Sequence, residues 1–134
     1  MSKNAESERL KELDAFANLS DRDLKKVADA GRFLHLPKDW SLMSESTPAD
    51  KAYVLLSGEV SVRKHGQEVA TVGAGGVIGE IGILEHRLRT ASVVSLTELE
   101  VVHYTKEDLA RLVEEIPDLR EALHITADAY PDGE

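Results

Sequence analysis

No cysteine occurs anywhere in the chain, so disulfide frameworks, thiolate nucleophiles and cysteine-based zinc sites are excluded, and the redox compartment is left open. Long apolar runs are missing as well. The longest, Ala52 to Leu56, falls far short of the roughly 20 residues a membrane-spanning helix needs. The opening Met-Ser-Lys-Asn-Ala-Glu-Ser-Glu lacks the apolar stretch and small-residue cleavage site of a secretory signal, which predicts a cytoplasmic protein without a membrane partner. Basic charge is in short supply: sixteen Lys and Arg stand against twenty-five Asp and Glu. The resulting net charge of −9 repels nucleic acid and anionic membrane alike. No Ser-His-Asp order and no close pair of carboxylates sits on a recognisable catalytic motif, so no enzymatic activity is expected.

What remains is the composition of a soluble globular protein, 42% apolar and 31% charged over 134 residues. That length buries one ordinary core and predicts a single domain, 1–134. Leu10, Leu13 and Phe16 recur at helical spacing, and Ser20 with Asp23 forms a capping pattern ahead of Leu24, Val27 and Ala28. Gly31 reads as a stop, which gives a helical arm over about 7–30.

From about 32 to 104 the chain changes to short β-rich runs divided by turn residues. The runs are 32–36, 40–45, 51–57, 59–64, 68–72, 90–96 and 98–104, with hairpin punctuation at Ser57-Gly58 and at Lys64-His65-Gly66-Gln67. Such a series predicts an antiparallel sandwich or barrel. Alternation is imperfect over Leu99 to Tyr104, as in a strand whose outer face is partly covered, and the helical arm is the expected cover. Trp40 and Tyr104 are expected to pack in the interior. Thr105 with Asp108 caps another helix carrying Leu109, Leu112, Val113 and Ile116, and Pro117 can open a further one, so that helices are expected over about 105–129.

The segment from Val72 to Val94 is the most informative. Gly73, Gly75 and Gly76 precede Gly79-Glu80-Ile81-Gly82, and Arg89-Thr90-Ala91 leads into a strand. Glycines let backbone N–H groups approach an anion closely, and a short helix starting near Glu80 would aim its free donors at the same place. The three leading glycines also fit a plain turn. Arg89 offers a planar, permanently charged fork suited to a phosphate. Glu80 would repel an anion unless it accepts hydrogen bonds from hydroxyls of the same ligand. A phosphate joined to a sugar meets both conditions, which points to a nucleotide. The bland alternative is a surface ion pair between Glu80 and Arg89, worth about 0–1 kcal/mol.

Gly79-Glu80-Ile81-Gly82-Ile83-Leu84 followed by Arg89-Thr90-Ala91-Ser92-Val93 resembles the phosphate-binding cassette of cyclic-nucleotide-binding domains, as in bacterial catabolite activators and protein kinase A regulatory subunits. The spacing of nine from Glu80 to Arg89 is similar to that of the kinase subunits. Phe16 to Ser20 and Pro48 to Val60 extend the likeness, which covers roughly residues 10 to 125. The resemblance implies an α+β fold, an antiparallel β jelly roll (double-stranded β-helix) flanked by N- and C-terminal helices. It implies a ligand, cAMP or cGMP, and no other cofactor. Glu80 would accept the ribose 2′-hydroxyl and Arg89 would grip the cyclic phosphate. Backbone N–H groups near Ile81, Gly82, Thr90 and Ala91 would complete the cradle that opens at Gly79. Departures from the family pattern fall at Ser46, Ile78 and Leu88. Thr90 resembles the residue that favours guanine in some members, but adenine binders carry a hydroxyl there too. Tyr130 is placed to cap a bound base or simply to pack.

The resemblance implies a stand-alone sensor of bacterial type, whose C-terminal helices move on ligand binding and are read by a protein partner in trans. Catabolite activators carry a DNA-binding helix-turn-helix after this domain, which this chain is not expected to have. A second reading keeps the jelly roll as a protein-interaction module that no longer binds nucleotide. A third, a cupin-like metalloenzyme, has little support: none of His35, His65, His86, His103 and His124 pair at i, i+2 or i, i+4.

Overall fold

The computed structural model describes residues 8–13, 16–44, 51–78 and 91–119. Residues 8–11 are helical, and a relay of backbone bonds follows them, in which Leu13, Phe16 and Leu19 N–H donate to the carbonyls of Leu10, Leu13 and Phe16 at 3.0, 3.0 and 3.2 Å. Helix α1, Asp21–Ala30, starts where the capping pattern predicts. Ser20 is extended, its Oγ accepts the Asp23 N–H at 3.1 Å, and Leu24, Val27 and Ala28 form the buried face. Gly31 ends the helix for a reason that spacing does not reveal. Its φ of −102° suits any residue, but a Cβ would lie 2.4 Å from Val102 Cγ1 and 2.8 Å from the Tyr104 ring. The close approach of a strand beneath it requires glycine.

Eight strands follow: β1 Arg32–Leu36, β2 Ser41–Met43, β3 Lys51–Ser57, β4 Val60–Lys64, β5 Gln67–Val72, β6 Val77–Ile78, β7 Ser92–Ser95 and β8 Leu99–Thr105. They form two antiparallel four-stranded sheets, ordered β1-β8-β3-β6 and β2-β7-β4-β5. The fold is the expected jelly roll flanked by helices. Seven strands coincide with predicted runs: β1 and β3 match at both ends, β2, β4 and β7 are shorter, β5 begins one residue earlier and β8 is shifted by one residue. The eighth, β6, was not predicted: two apolar residues after a glycine turn have no period to read, and pairing with Tyr53 and Val54 makes them a strand.

Two hydrophobic cores share the first sheet. Tyr53, Leu55, Val60, Val62, Ile78, Val93, Leu99 and Val101 fill the space between the sheets. Ala52, Val54, Leu56, Val77, Val102 and Tyr104 point the other way and pack beneath Leu10, Phe16, Leu24, Val27, Leu109 and Leu112. Burial on both faces explains the unbroken apolar run of β3 and the imperfect alternation of β8. The helical arm is indeed the cover. Tyr104 is buried as expected, its hydroxyl donating to the Val27 carbonyl at 2.8 Å, and burial pushes its phenol well above the ordinary range.

Two expectations are corrected. Trp40 is not a core residue; it is 47% exposed. Its backbone is what is held: Trp40 N–H donates to Ser95 Oγ at 2.7 Å and Ser95 N–H to the Trp40 carbonyl at 2.9 Å, while fully buried Ser95 also donates to the Pro37 carbonyl. The ring is left outside. Ser57-Gly58 is likewise no hairpin, because β3 and β4 belong to different sheets. It is a corner, where Gly58 takes a φ of +98° and a Cβ would meet the Glu98 carbonyl at 2.4 Å. The turn at His65-Gly66, with φ of 52° and 80°, does join a true hairpin between β4 and β5.

Helix α2, Lys106–Glu115, is capped by Thr105, whose Oγ1 accepts the Asp108 N–H at 3.1 Å. Residues 117–119 turn helical again and Leu119 is buried, while the remainder of the predicted C-terminal helix, with Tyr130, lies outside the described residues.

Candidate functional site

Of the predicted site, Gly79, Glu80, Ile81, Gly82, Arg89 and Thr90 lie outside the described residues, as do His86, Leu88 and Ser46. Ala91 is described, 4% exposed, and so are both flanks of the segment. On the upstream flank, Val77 and Ile78 are adjacent but face opposite ways. Ile78 enters the core between the sheets and Val77 the core beneath the helices. On the downstream flank, Ala91 and Val93 enter the same inter-sheet core as Ile78. The two ends of the 79–90 segment are therefore held in one hydrophobic cluster, with the second cluster one residue away.

Before Val77 comes the glycine turn. Gly75 N–H donates to the Leu55 carbonyl at 2.8 Å, Leu55 N–H donates to the Gly76 carbonyl at 2.8 Å, and Gly76 N–H donates to the Gly73 carbonyl at 3.1 Å. The amides of Gly75 and Gly76 are satisfied by protein carbonyls, so they are not donors for an anion, and here the plainer turn reading holds. These glycines fasten the turn to β3 and feed the chain into β6.

The charged groups that the structure brings together were not foreseen. Ser61, fully buried on β4, donates to Glu68 Oε1 at 2.7 Å and accepts from Arg63 Nε at 3.0 Å, which ties the β4–β5 hairpin across its bulge. Arg9 of the helical arm donates from Nη2 to Glu100 Oε1 on β8 at 2.8 Å, and Ser57 Oγ of β3 donates to the same oxygen at 3.1 Å. The hydrogen bonds from Arg9 and Ser57, then the Arg9 charge, hold the Glu100 carboxyl below its usual range. Arg9 and Glu100 border a cleft of about 330 Å³ whose walls include Phe33, His35 and Leu56. Arg9 and Glu100 are 91 positions apart, and no local pattern marks such a pair. Among the described residues, no three His, Asp or Glu side chains gather in a way that would hold a metal ion, and no helix is long and apolar enough to cross a membrane.

The described frame is a jelly roll in which the glycine turn and short strand β6 lead the chain to residue 79, and Ala91 returns it to the inter-sheet core. The family model described as "cyclic nucleotide-binding domain" matches residues 33–116, more than half of the chain, and the chain belongs to that family. It is 27% identical over 124 residues to a cAMP-dependent protein kinase regulatory subunit of Aspergillus niger, covering 91% of this chain and 30% of that protein. A similar subunit of Yarrowia lipolytica is 31% identical over 111 residues, covering 81% of this chain and 30% of that one. The chain thus spans less than a third of the length of these curated relatives. Among solved structures it is similar to a cyclic nucleotide-binding domain from Methylobacillus flagellatus, with a TM-score of 0.75 and 26% identity over 96% of this chain and 75% of that one.

Proposed function

We propose that this domain is a sensor of cAMP or cGMP that binds the nucleotide through the segment Gly79–Ala91 and signals through its C-terminal helices. The carrying observation is the anchoring of that segment's two flanks, Ile78 and Ala91, in one inter-sheet core of a cyclic nucleotide-binding domain. In this reading Glu80 accepts the ribose 2′-hydroxyl and Arg89 makes charge-assisted hydrogen bonds to the cyclic phosphate. Backbone N–H groups near Ile81, Gly82, Thr90 and Ala91 supply the remaining donors. Signalling is a population shift. Val77 shares the helix-side core with Leu109, Leu112 and Leu119, so a displacement at the ligand segment reaches α2 through a single buried side chain. These residues also line a small internal void, which leaves room for repacking. A protein partner in trans reads the helix position, and by linkage its binding changes nucleotide affinity by the same factor.

Calorimetric titration with cAMP and cGMP, with Arg89→Ala in parallel, tests the reading. Binding at micromolar affinity or tighter, about −8 kcal/mol or better, is expected for one nucleotide and is expected to vanish in the variant. Absence of both heat and thermal stabilisation at millimolar nucleotide would overturn it, because a ligand of the native state must stabilise that state. The jelly roll would then stand as a protein-interaction module.

A further inference from the structure

The helical arm is fastened at two places of different character. Leu10 is fully buried in the helix-side core, and the neighbouring Arg9 clasps Glu100 of β8 at 2.8 Å, with Ser57 of β3 donating to the same carboxylate oxygen. Three residues further along, where the arm's backbone relay begins, Leu13 packs against that core. Its Cδ2 lies 3.9 Å from the position a Cβ on Gly75 would occupy, which places the arm's side chain beside the tip of the glycine turn. That turn is tied to Leu55 of β3 and continues directly into β6 and residue 79. The chain segment 8–13 thus lies between the Glu100 clasp at Arg9 and, at Leu13, the turn that leads into the proposed nucleotide segment.

We infer that Arg9 and Glu100 are positioning residues for the nucleotide site, their clasp setting how the arm, through Leu13, braces the 73–76 turn. The inference rests on the nucleotide reading for its functional consequence, but the brace is testable whether or not a nucleotide binds. The pair is partly exposed, with side chains 32% and 46% accessible. Exposed pairs of this kind contribute at most about 1 kcal/mol, so breaking the clasp can weaken binding by no more than about fivefold. By reciprocity, bound nucleotide tightens the clasp by the same factor.

The test compares the full chain with Arg9→Gln and with the charge swap Arg9→Glu/Glu100→Arg, using hydrogen exchange at residues 8–13 and 73–76 together with cAMP and cGMP titrations. In Arg9→Gln, exchange is expected to rise at both segments and the Kd to weaken two- to fivefold, with the swap restoring both. Faster exchange at 8–13 alone, with 73–76 and the Kd unchanged, would overturn the inference, as would failure of the swap to restore either quantity. If the parent chain binds neither nucleotide, the functional reading falls separately. Exchange at 73–76 then decides the brace by itself: a rise in Arg9→Gln upholds it and no change removes it.

Discussion

Tyr104 shows how much one side chain can organise here. Its ring supports the close passage of Gly31, and its hydroxyl satisfies the Val27 carbonyl inside the helix-side core. Tyr104→Phe keeps the ring and strands that carbonyl, so it should destabilise the fold by about 1–2 kcal/mol in urea unfolding, with the slope unchanged. A loss below about 0.3 kcal/mol would mean that water replaces the bond. Local sequence identifies Tyr104 as a packing residue, but it does not identify the carbonyl 77 positions away that pairs with it. Trp40 illustrates the opposite case. An aromatic beside a strand reads as core, yet the buried residue is its neighbour Ser95, whose hydroxyl both accepts from Trp40 N–H and donates to the Pro37 carbonyl.

At the scale of elements, the helix starts are the most legible features, because capping is a local contact over three residues. Ser20 and Thr105 each accept the N–H predicted from the pattern alone, at 3.1 Å in both cases. Ser20→Ala and Thr105→Ala should each cost about 1 kcal/mol. Both helices pack on the core that contains Val77, but the proposed signal runs through the C-terminal helices, so Thr105→Ala should alter nucleotide affinity more than Ser20→Ala; titrations of the two variants distinguish them. Strands β3 and β8 are legible because burial on two faces enriches them in apolar residues. Strand β6 is not, since its two residues are a strand only by virtue of β3 beside it. The Ser57-Gly58 turn has the chemistry of a hairpin but serves as a corner. Turn residues fix the local backbone path, not which sheet the next strand joins.

For the molecule as a whole, the Arg9–Glu100 clasp links stability to pH. Glu100 is depressed in the folded state, so its contribution is present above the unfolded value near 4.5 and is lost as pH falls through the lower folded value. Acid unfolding of the parent should therefore steepen below about pH 4.5 relative to Glu100→Gln, and the two curves should differ by a constant amount above it. Parallel curves throughout would show that the pair is fully screened by solvent.

The sequence by itself determined an antiparallel sandwich or barrel, its helical arm and the helix caps, because periodicity and capping are properties of short windows; the jelly roll and the roles proposed along the Gly-Glu…Arg segment came from the resemblance to a family. It did not determine which core each strand face would enter, that the glycine turn bonds back to β3, or that Arg9 would meet Glu100. Those are contacts between distant positions, decided only when two sheets and a helical arm are brought together, since the free energy of burying both faces of the first sheet belongs to the assembled layers and to no single stretch of chain.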